Sequence, residues 1–300
     1  MTPEPIFSSA NVPSADTQNA MHALQSLAAS AERLETACGT GTLVWRVWRA
    51  PQPPANDKAP VLMLHGGSGS WTHWLRNIAP LLATGRAVLV PDLPGFGESA
   101  APTAGVDADA VVEPLATGLH QLLGDQVCDV VGFSFGSMVS GFLAAQHPKR
   151  VARLLLVGAP AMGRGFGRPI DLQAWRQLTD PALLDAAHRH NLAALMLHNP
   201  SAITEFAVQV QAANVVRDRM RGRSLQHTDA LTQALRRLTC PVSAIYGAED
   251  SLYVGQFEAL ERAFQQTPQF EQFSLIGAAG HWVQFEQPGA FNQRVSSWLG

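Results

Sequence analysis

Val130-Val131-Gly132-Phe133-Ser134-Phe135-Gly136-Ser137-Met138 is the stretch on which the reading of this 300-residue chain turns. A mostly apolar run from Cys128 to Val131, broken by Asp129, enters a Gly-x-Ser-x-Gly pentapeptide, and a small-to-apolar run over 137–145 leaves it. Strand, sharp turn and helix are the context in which that pentapeptide has chemical meaning. The turn puts the serine backbone in a strained conformation and lifts its hydroxyl clear of the sheet. Gly132 and Gly136 are needed because a Cβ at either would collide where strand and helix fold together. The Phe135 amide opens the helix, where free N–H groups and the positive dipole end favour a developing anion.

Outward from this turn the pattern alternates. Apolar strands are expected at 61–65, 87–90, 127–131 and 151–157, separated by helices at 71–83, 106–123 and 135–146. Short, continuously apolar strands between helices point to a parallel sheet covered on both faces. Upstream, a loose tail over 1–30 leads into a helical patch at 21–34. A hairpin at 36–50 turns on Gly39-Thr40-Gly41, and a proline-rich turn follows at 51–60. Residues 161–237 break the alternation, with helices expected at 171–178, 181–197, 202–216 and 228–238 and no buried strand. Alternation resumes with a strand at 242–246, a helix at 252–266, a strand at 270–275 and a closing helix at 289–299. The organisation expected is an N-terminal tail and helix over 1–33, an α/β core over 34–160 and 238–300, and an inserted helical cap over 161–237.

A serine hydroxyl is a poor nucleophile at neutral pH and needs a base, which in turn needs an orienting group. In this fold pattern the chain order is serine, acid, histidine. Asp250, closing Tyr246-Gly247-Ala248-Glu249-Asp250, and His281, in Gly277-Ala278-Ala279-Gly280-His281-Trp282, both follow late strands. Open α/β sheets build their sites at that edge. Glu249 and Asp129 are the rival acids. The oxyanion donors expected are the Phe135 amide and the Gly67 amide in His65-Gly66-Gly67-Ser68-Gly69-Ser70, with the Ser68 amide as the near alternative. Trp71, Trp74, Phe133, Phe135, Met162 and Trp282 are candidates for an apolar acyl pocket, against plain core packing.

Composition removes several classes. The net charge of −3 gives no case for nucleic acid or an anionic membrane, and no apolar run approaches a membrane span. The polar N-terminus does not read as a secretory signal. Three scattered cysteines, Cys38, Cys128 and Cys240, suit a reducing compartment and neither a disulfide frame nor a zinc site, so the cytoplasm is the expected location. His188 and His190, two apart on a helix, point to different faces, so no metal is expected. No cofactor is implied; the expected partner is a small-molecule substrate, and homo-oligomerisation stays open.

The segments His65-Gly66-Gly67, Pro91-Asp92-Leu93-Pro94-Gly95-Phe96-Gly97-Glu98-Ser99, Gly132-Phe133-Ser134-Phe135-Gly136 and Gly280-His281-Trp282 resemble the α/β-hydrolase superfamily from about residue 34 to the end. Within it the chain is most similar to the esterase and carbon–carbon-bond hydrolase branch that cleaves meta-cleavage products of aromatic degradation. That likeness is carried by His65-Gly66-Gly67, by Gly280 through Glu286, and by Phe291-Asn292. It implies a serine hydrolase forming an acyl-enzyme from a hydrophobic ester or a vinylogous diketone. An acyltransferase or perhydrolase with the same triad, or a receptor on the same scaffold, is the alternative. The branch has asparagine where this chain has Phe133, and a cap arginine where it has Gln211, with Arg217 and Arg219 just downstream. His65, Asp92 and Ser99 read as loop-fixing residues. The run Arg217, Arg219, Arg221 and Arg223 reads as a solvated face, with carboxylate recognition as the minority reading.

Overall fold

β5 (Cys128–Phe133) carries the quoted turn, and its residues alternate between two cores. Val130 packs with Leu62, Leu154 and Ala244 on one side of the sheet, and Val131 with Met63, Leu155 and Ile245 on the other. A strand buried on both faces must be apolar at successive positions, which is why the sequence shows a run and not an alternation. The structure, a computed structural model, describes residues 13–50 and 58–300. The tail expected at 1–12 and residues 51–57 of the proline-rich turn lie outside the described residues.

In chain order the elements are α1 (Ala15–Ala29), β1 (Glu32–Cys38), β2 (Gly41–Trp48), β3 (Val61–Leu64), α2 (Ile78–Leu82), β4 (Val88–Pro91), α3 (Ala108–Leu123), β5, α4 (Phe135–Gln146) and β6 (Val151–Val157). After these come α5 (Pro181–Asn191), α6 (Glu205–Val215), α7 (Ala230–Leu235), β7 (Val242–Gly247), α8 (Phe257–Phe264), β8 (Phe270–Ile276), α9 (Val283–Glu286) and α10 (Pro288–Leu299). The eight strands form one sheet in the order β1-β2-β4-β3-β5-β6-β7-β8. The β1–β2 and β2–β4 pairs are antiparallel and the others are parallel. This is the mostly parallel, helix-covered sheet expected from the sequence.

α3, α4 and α8 cover one face, through Val111, Leu115, Val139, Leu143, Leu260 and Phe264. Trp74, Ile78, Leu81, Phe291 and Val295 cover the other. Between β6 and β7 the described residues hold helices and no strand. α7 returns to the core: Leu231 sits so close to Gly141 of α4 that no Cβ would fit there.

Element boundaries depart from the expectations where capping chemistry decides. The first helix starts at Ala15, because Ser14 Oγ accepts from the Thr17 amide at 3.3 Å, and it stops at Ala29. Residues 32–38, partly counted as helix, pair with β2 instead, and Cys38 faces Gly41 across a two-residue turn with Gly39 at φ +57°. Residues 71–83 split into a 3₁₀ turn, Trp71–Trp74, and α2. No regular helix forms at 171–178. Residues 181–197 are α5 continued by a π turn, Leu192–Met196. No helix among the described residues is long and apolar enough to cross a membrane.

Candidate active site

Ser134 joins β5 to α4 with φ 51° and ψ −115°, a left-handed backbone that costs a non-glycine residue about 1–3 kcal/mol. Its surroundings hold it there. The Ser134 amide donates to Val157 O at 2.7 Å, and the Ser137 hydroxyl donates to Gly132 O at 2.7 Å. A Cβ on Gly132 would overlap Gly136 O and Ser140 Oγ, and one on Gly136 would overlap the carbonyls of Leu64 and His65.

β7 and β8 end on the same edge, and the loops after them bring the other two side chains in. His281 Nδ1 lies 2.7 Å from Asp250 Oδ2, and His281 Nε2 lies 2.9 Å from Ser134 Oγ. A carboxylate only accepts, so Nδ1 carries the proton of the neutral ring and Nε2 is left to accept from the serine hydroxyl. Asp250 is fully buried, and its second oxygen accepts from the Leu252 amide at 3.0 Å. The rival acids stand elsewhere. Asp129, at the opposite end of β5, pairs with Arg86 at 2.9 Å and Arg153 at 3.1 Å, and Glu249 is exposed.

Two residues that sequence reasoning missed shape this arrangement. Gly158, at φ +56°, follows β6 and presents its bare face to the His281 ring. Glu286 accepts from the amides of Gly280 at 2.8 Å and His198 at 3.0 Å, so it braces the histidine loop against the inserted segment. The Trp282 amide adds a bond to Met196 O at 2.8 Å. No spacing in the chain signals Gly158, and Glu286 is signalled only by its place in the Gly280–Glu286 motif.

In the same cavity lining as Ser134 and His281, the Gly67 and Phe135 amides donate to no protein acceptor among the described residues. Gly67 faces Phe135, whose Cβ would stand 3.6 Å from a Cβ at position 67. Buried histidines build the loop beneath. His65 Nε2 accepts from the Leu93 amide at 2.8 Å, so the proton sits on Nδ1, which donates to Gly66 O at 2.8 Å. Burial pushes the His65 pKa down, against an opposing pull from Asp92. His73, missed in the sequence, accepts from the Gly66 amide at 3.2 Å through Nδ1. Burial holds its pKa well below the ordinary histidine value, with His65 and His281 adding to the effect. Asp92 accepts from the amides of Trp71 and Glu98 at 2.9 Å each, and Ser99 bridges the Val44 amide to Asp92 O. These residues fix loops, as their composition suggested.

A cavity of about 610 Å³ opens from Ser134 and His281. Phe133 and Phe135 line it, with Phe166, Leu172, Met196 and Leu252 from the inserted segment and the loop after β7. Trp71, Met162 and Trp282 do not, which corrects the sequence expectation. Trp71 packs on Trp48 at 5.7 Å, Trp282 stacks on Phe285 at 4.1 Å and donates to His73 O, and Met162 is buried beside Thr232. Trp74 is core as well. Adjacency to a site loop does not fix which way a side chain turns, and large rings are drawn to the core on hydrophobic grounds.

The basic run divides. Arg219 donates to the carbonyls of Phe96 and Gly97 at 3.3 and 3.2 Å, while Arg217 and Arg221 are exposed. Arg223 lines the cavity, but both its terminal nitrogens are engaged by Asp218, at 3.0 and 3.1 Å, and by Met220 O and Ser68 Oγ. Gln211 stays outside the cavity lining. His188 is buried against Trp175 at 5.3 Å, and His190 bonds Asp171 O at 2.9 Å. Among the described residues no three His, Cys, Asp or Glu side chains converge to hold a metal.

A family model described as the alpha/beta hydrolase fold matches residues 59–288. A 2-hydroxy-6-oxo-6-phenylhexa-2,4-dienoate hydrolase from Burkholderia cepacia is 25% identical over 262 residues, covering 82% of this chain and 89% of the relative. A 2-hydroxymuconate semialdehyde hydrolase from a Pseudomonas species is 29% identical over 257 residues, covering 80% and 86%. Among solved structures, an esterase from a Rhodococcus species superposes with a TM-score of 0.71 at 25% identity, covering 90% of this chain and 98% of that one. The chain is therefore an enzyme belonging to the α/β-hydrolase fold family.

Proposed function

We propose that the protein is a serine hydrolase of hydrophobic acyl compounds working through an acyl-enzyme, with an uncharged ester as the substrate class. The observation that carries this reading is the run of two hydrogen bonds from Asp250 through His281 to Ser134, ending in a largely apolar cavity faced by two free amides. Ser134 Oγ attacks the ester carbonyl while His281 Nε2 takes its proton. Asp250 holds the ring and stabilises the imidazolium. The oxyanion is held by the Phe135 and Gly67 amides. The imidazolium returns its proton to the departing alkoxide, leaving the acyl group on Ser134. Water then enters, gives its proton to His281, attacks the acyl carbon, and the acid leaves as Ser134 regains its proton. Residues 161–237 act as a cap that supplies the outer wall of the acyl pocket, with α7 anchoring its end to the core.

A vinylogous diketone is the second reading, favoured by the names of the two relatives. The bond to Ser134 would form as a carbon–carbon bond breaks, and the leaving carbon would take a proton. A carboxylate on such a substrate needs a cation. Arg223 is already paired with Asp218, which leaves Arg168, exposed in the cavity wall without an ion-pair partner among the described residues.

The test is a panel of p-nitrophenyl esters of increasing acyl length beside a dienoate meta-cleavage product, with mass spectrometry of the stalled enzyme. Turnover of esters with an acyl adduct on Ser134 supports the first reading. Exclusive turnover of the dienoate, reduced selectively by Arg168→Gln, supports the second. No turnover in the panel together with no adduct on Ser134 removes both.

A further inference from the structure

The oxyanion loop carries a backbone anomaly that the triad does not explain. Ser68, next to Gly67, sits at φ +52°, a left-handed conformation unfavourable for serine. Such a residue persists only where its neighbours over-determine it. Its hydroxyl donates to Asp218 Oδ2 at 2.5 Å, across 150 residues of chain. Asp218 is almost fully buried and is itself fixed on every side. Its Oδ1 accepts from the Met220 amide at 2.9 Å, and Arg223 grips both oxygens in a fork, at 3.0 and 3.1 Å. Arg223 reaches on to Ser68 Oγ at 3.4 Å and lies over the rings of Phe96 and Phe135, at 5.3 and 5.6 Å.

The segment that carries these side chains follows α6 and is seated on the core by further bonds. The Arg219 amide donates to Gly95 O at 2.9 Å, and Met220 packs against the bare face of Gly95. Residues 218–223 therefore lie across both the 95–99 loop and the loop bearing the Gly67 amide. The carboxylate so close to a site of developing negative charge is neutralised by its own arginine, which removes the repulsion a lone aspartate would exert there.

We propose that Asp218 is a positioning residue for the oxyanion loop. Through Ser68 it holds the peptide that aims the Gly67 amide, so the donor pair for the tetrahedral anion is complete only while residues 218–223 are seated. This rests on the reading of Gly67 and Phe135 as oxyanion donors for Ser134. A donor misaimed by a fraction of an ångström weakens the bond to the transition state more than any bond to the ground-state carbonyl.

The test compares Ser68→Ala, Asp218→Ala and the double variant on one p-nitrophenyl ester, alongside binding of a trifluoromethyl ketone, which adds to Ser134 as a tetrahedral anion. Each single variant is expected to lower kcat about 10- to 100-fold with KM nearly unchanged, and to weaken the ketone by a similar factor. The double variant is expected to be no worse than the weaker single one, because both remove the same bond. Ser68→Ala deletes one oxygen and keeps the fold, so it decides the matter even where Asp218→Ala does not fold. A Ser68→Ala enzyme with kcat within about twofold of the parent, or a loss lying in KM with ketone affinity retained, overturns the proposal. Failure of the underlying reading shows itself separately, as ester turnover that survives Ser134→Ala.

Discussion

Gly158 lies directly against the imidazole of His281: a Cβ at residue 158 would stand 2.9 Å from Cε1 and 3.1 Å from Nδ1 of that ring. The ring is thus confined from behind by an absent side chain, while Asp250 and Ser134 hold its two nitrogens. Gly158→Ala is expected to push the ring off the line to Ser134 Oγ and lower kcat about 100-fold. The alanine must also accept φ +56°, so the melting temperature is expected to fall with it. Steady-state kinetics and a thermal melt on the same preparation check both parts.

The proposed triad predicts that Ser134→Ala, His281→Ala and Asp250→Asn each reduce ester turnover by about 10³-fold or more. Ser134→Ala removes one oxygen and leaves the backbone of the turn in place, so circular dichroism should be unchanged. Near-parental turnover in any of the three, measured on enzyme purified away from host esterases, would rule that residue out.

Asp129 offers the opposite signature. It is buried and paired with Arg86 and Arg153, which also hold the carbonyls of Trp298 and Leu299 at the end of α10. Removing it leaves two guanidinium groups without their counter-charge. Asp129→Ala is expected to destabilise the fold by about 3–5 kcal/mol and leave kcat of the folded fraction unchanged. Denaturant unfolding and active-site titration separate the two.

Stability should fall on the acid side of the ordinary histidine pKa of 6.5. His65 and His73 are buried with their pKa values pushed down, the second strongly. Below pH 6.5 the unfolded chain binds protons at these rings that the folded chain still refuses, so acid favours unfolding. The stability is complete above 6.5 and declines as the pH drops toward the depressed folded values. Melting temperatures taken from pH 7.5 to 5 should therefore slope downward, and His73→Phe should reduce proton uptake on unfolding at the acid end by about one. An unaltered slope in that variant would show that His73 is not the ring responsible.

The tryptophan excluded from the cavity separates packing from specificity. Trp282→Ala is expected to destabilise by about 3–5 kcal/mol, because a fully buried ring stacked on Phe285 is lost. Phe166→Ala and Leu252→Ala, which enlarge the cavity wall, should instead move the preferred acyl length upward with little change in melting temperature.

Much of this architecture is legible in the sequence because the physics is local. Gly132 and Gly136 around Ser134 announce a turn that only bare backbone can make, and the short, mostly apolar runs at 128–131 and 151–157, set between helical segments, read as strands buried on two faces. Asp250 and His281 are legible through chain order and position after a strand. The acyl pocket is not. Trp71 and Phe133 both stand beside site loops in the sequence, Trp71 the better candidate of the two, yet Trp71 turns into the core against Trp48 and Phe133 toward the cavity. Arg223 and Arg219 share one short basic run, but their roles depend on Asp218 and on the Phe96 and Gly97 carbonyls, partners that only the folded chain brings near. Gly158 and His73 act by close approach across distant segments, and no spacing in the chain encodes that.

β5 has four strands on one side of it and three on the other. Its backbone amides are thus expected to be among the last that local opening reaches, and the hydroxyl it carries is mounted where exchange of hydrogen for deuterium should be slowest. α5 and α6, between β6 and β7, lie outside the sheet and have no strands on either side. Heating or mild denaturant should therefore blur which acyl groups are accepted well before it stops the enzyme from being acylated at all.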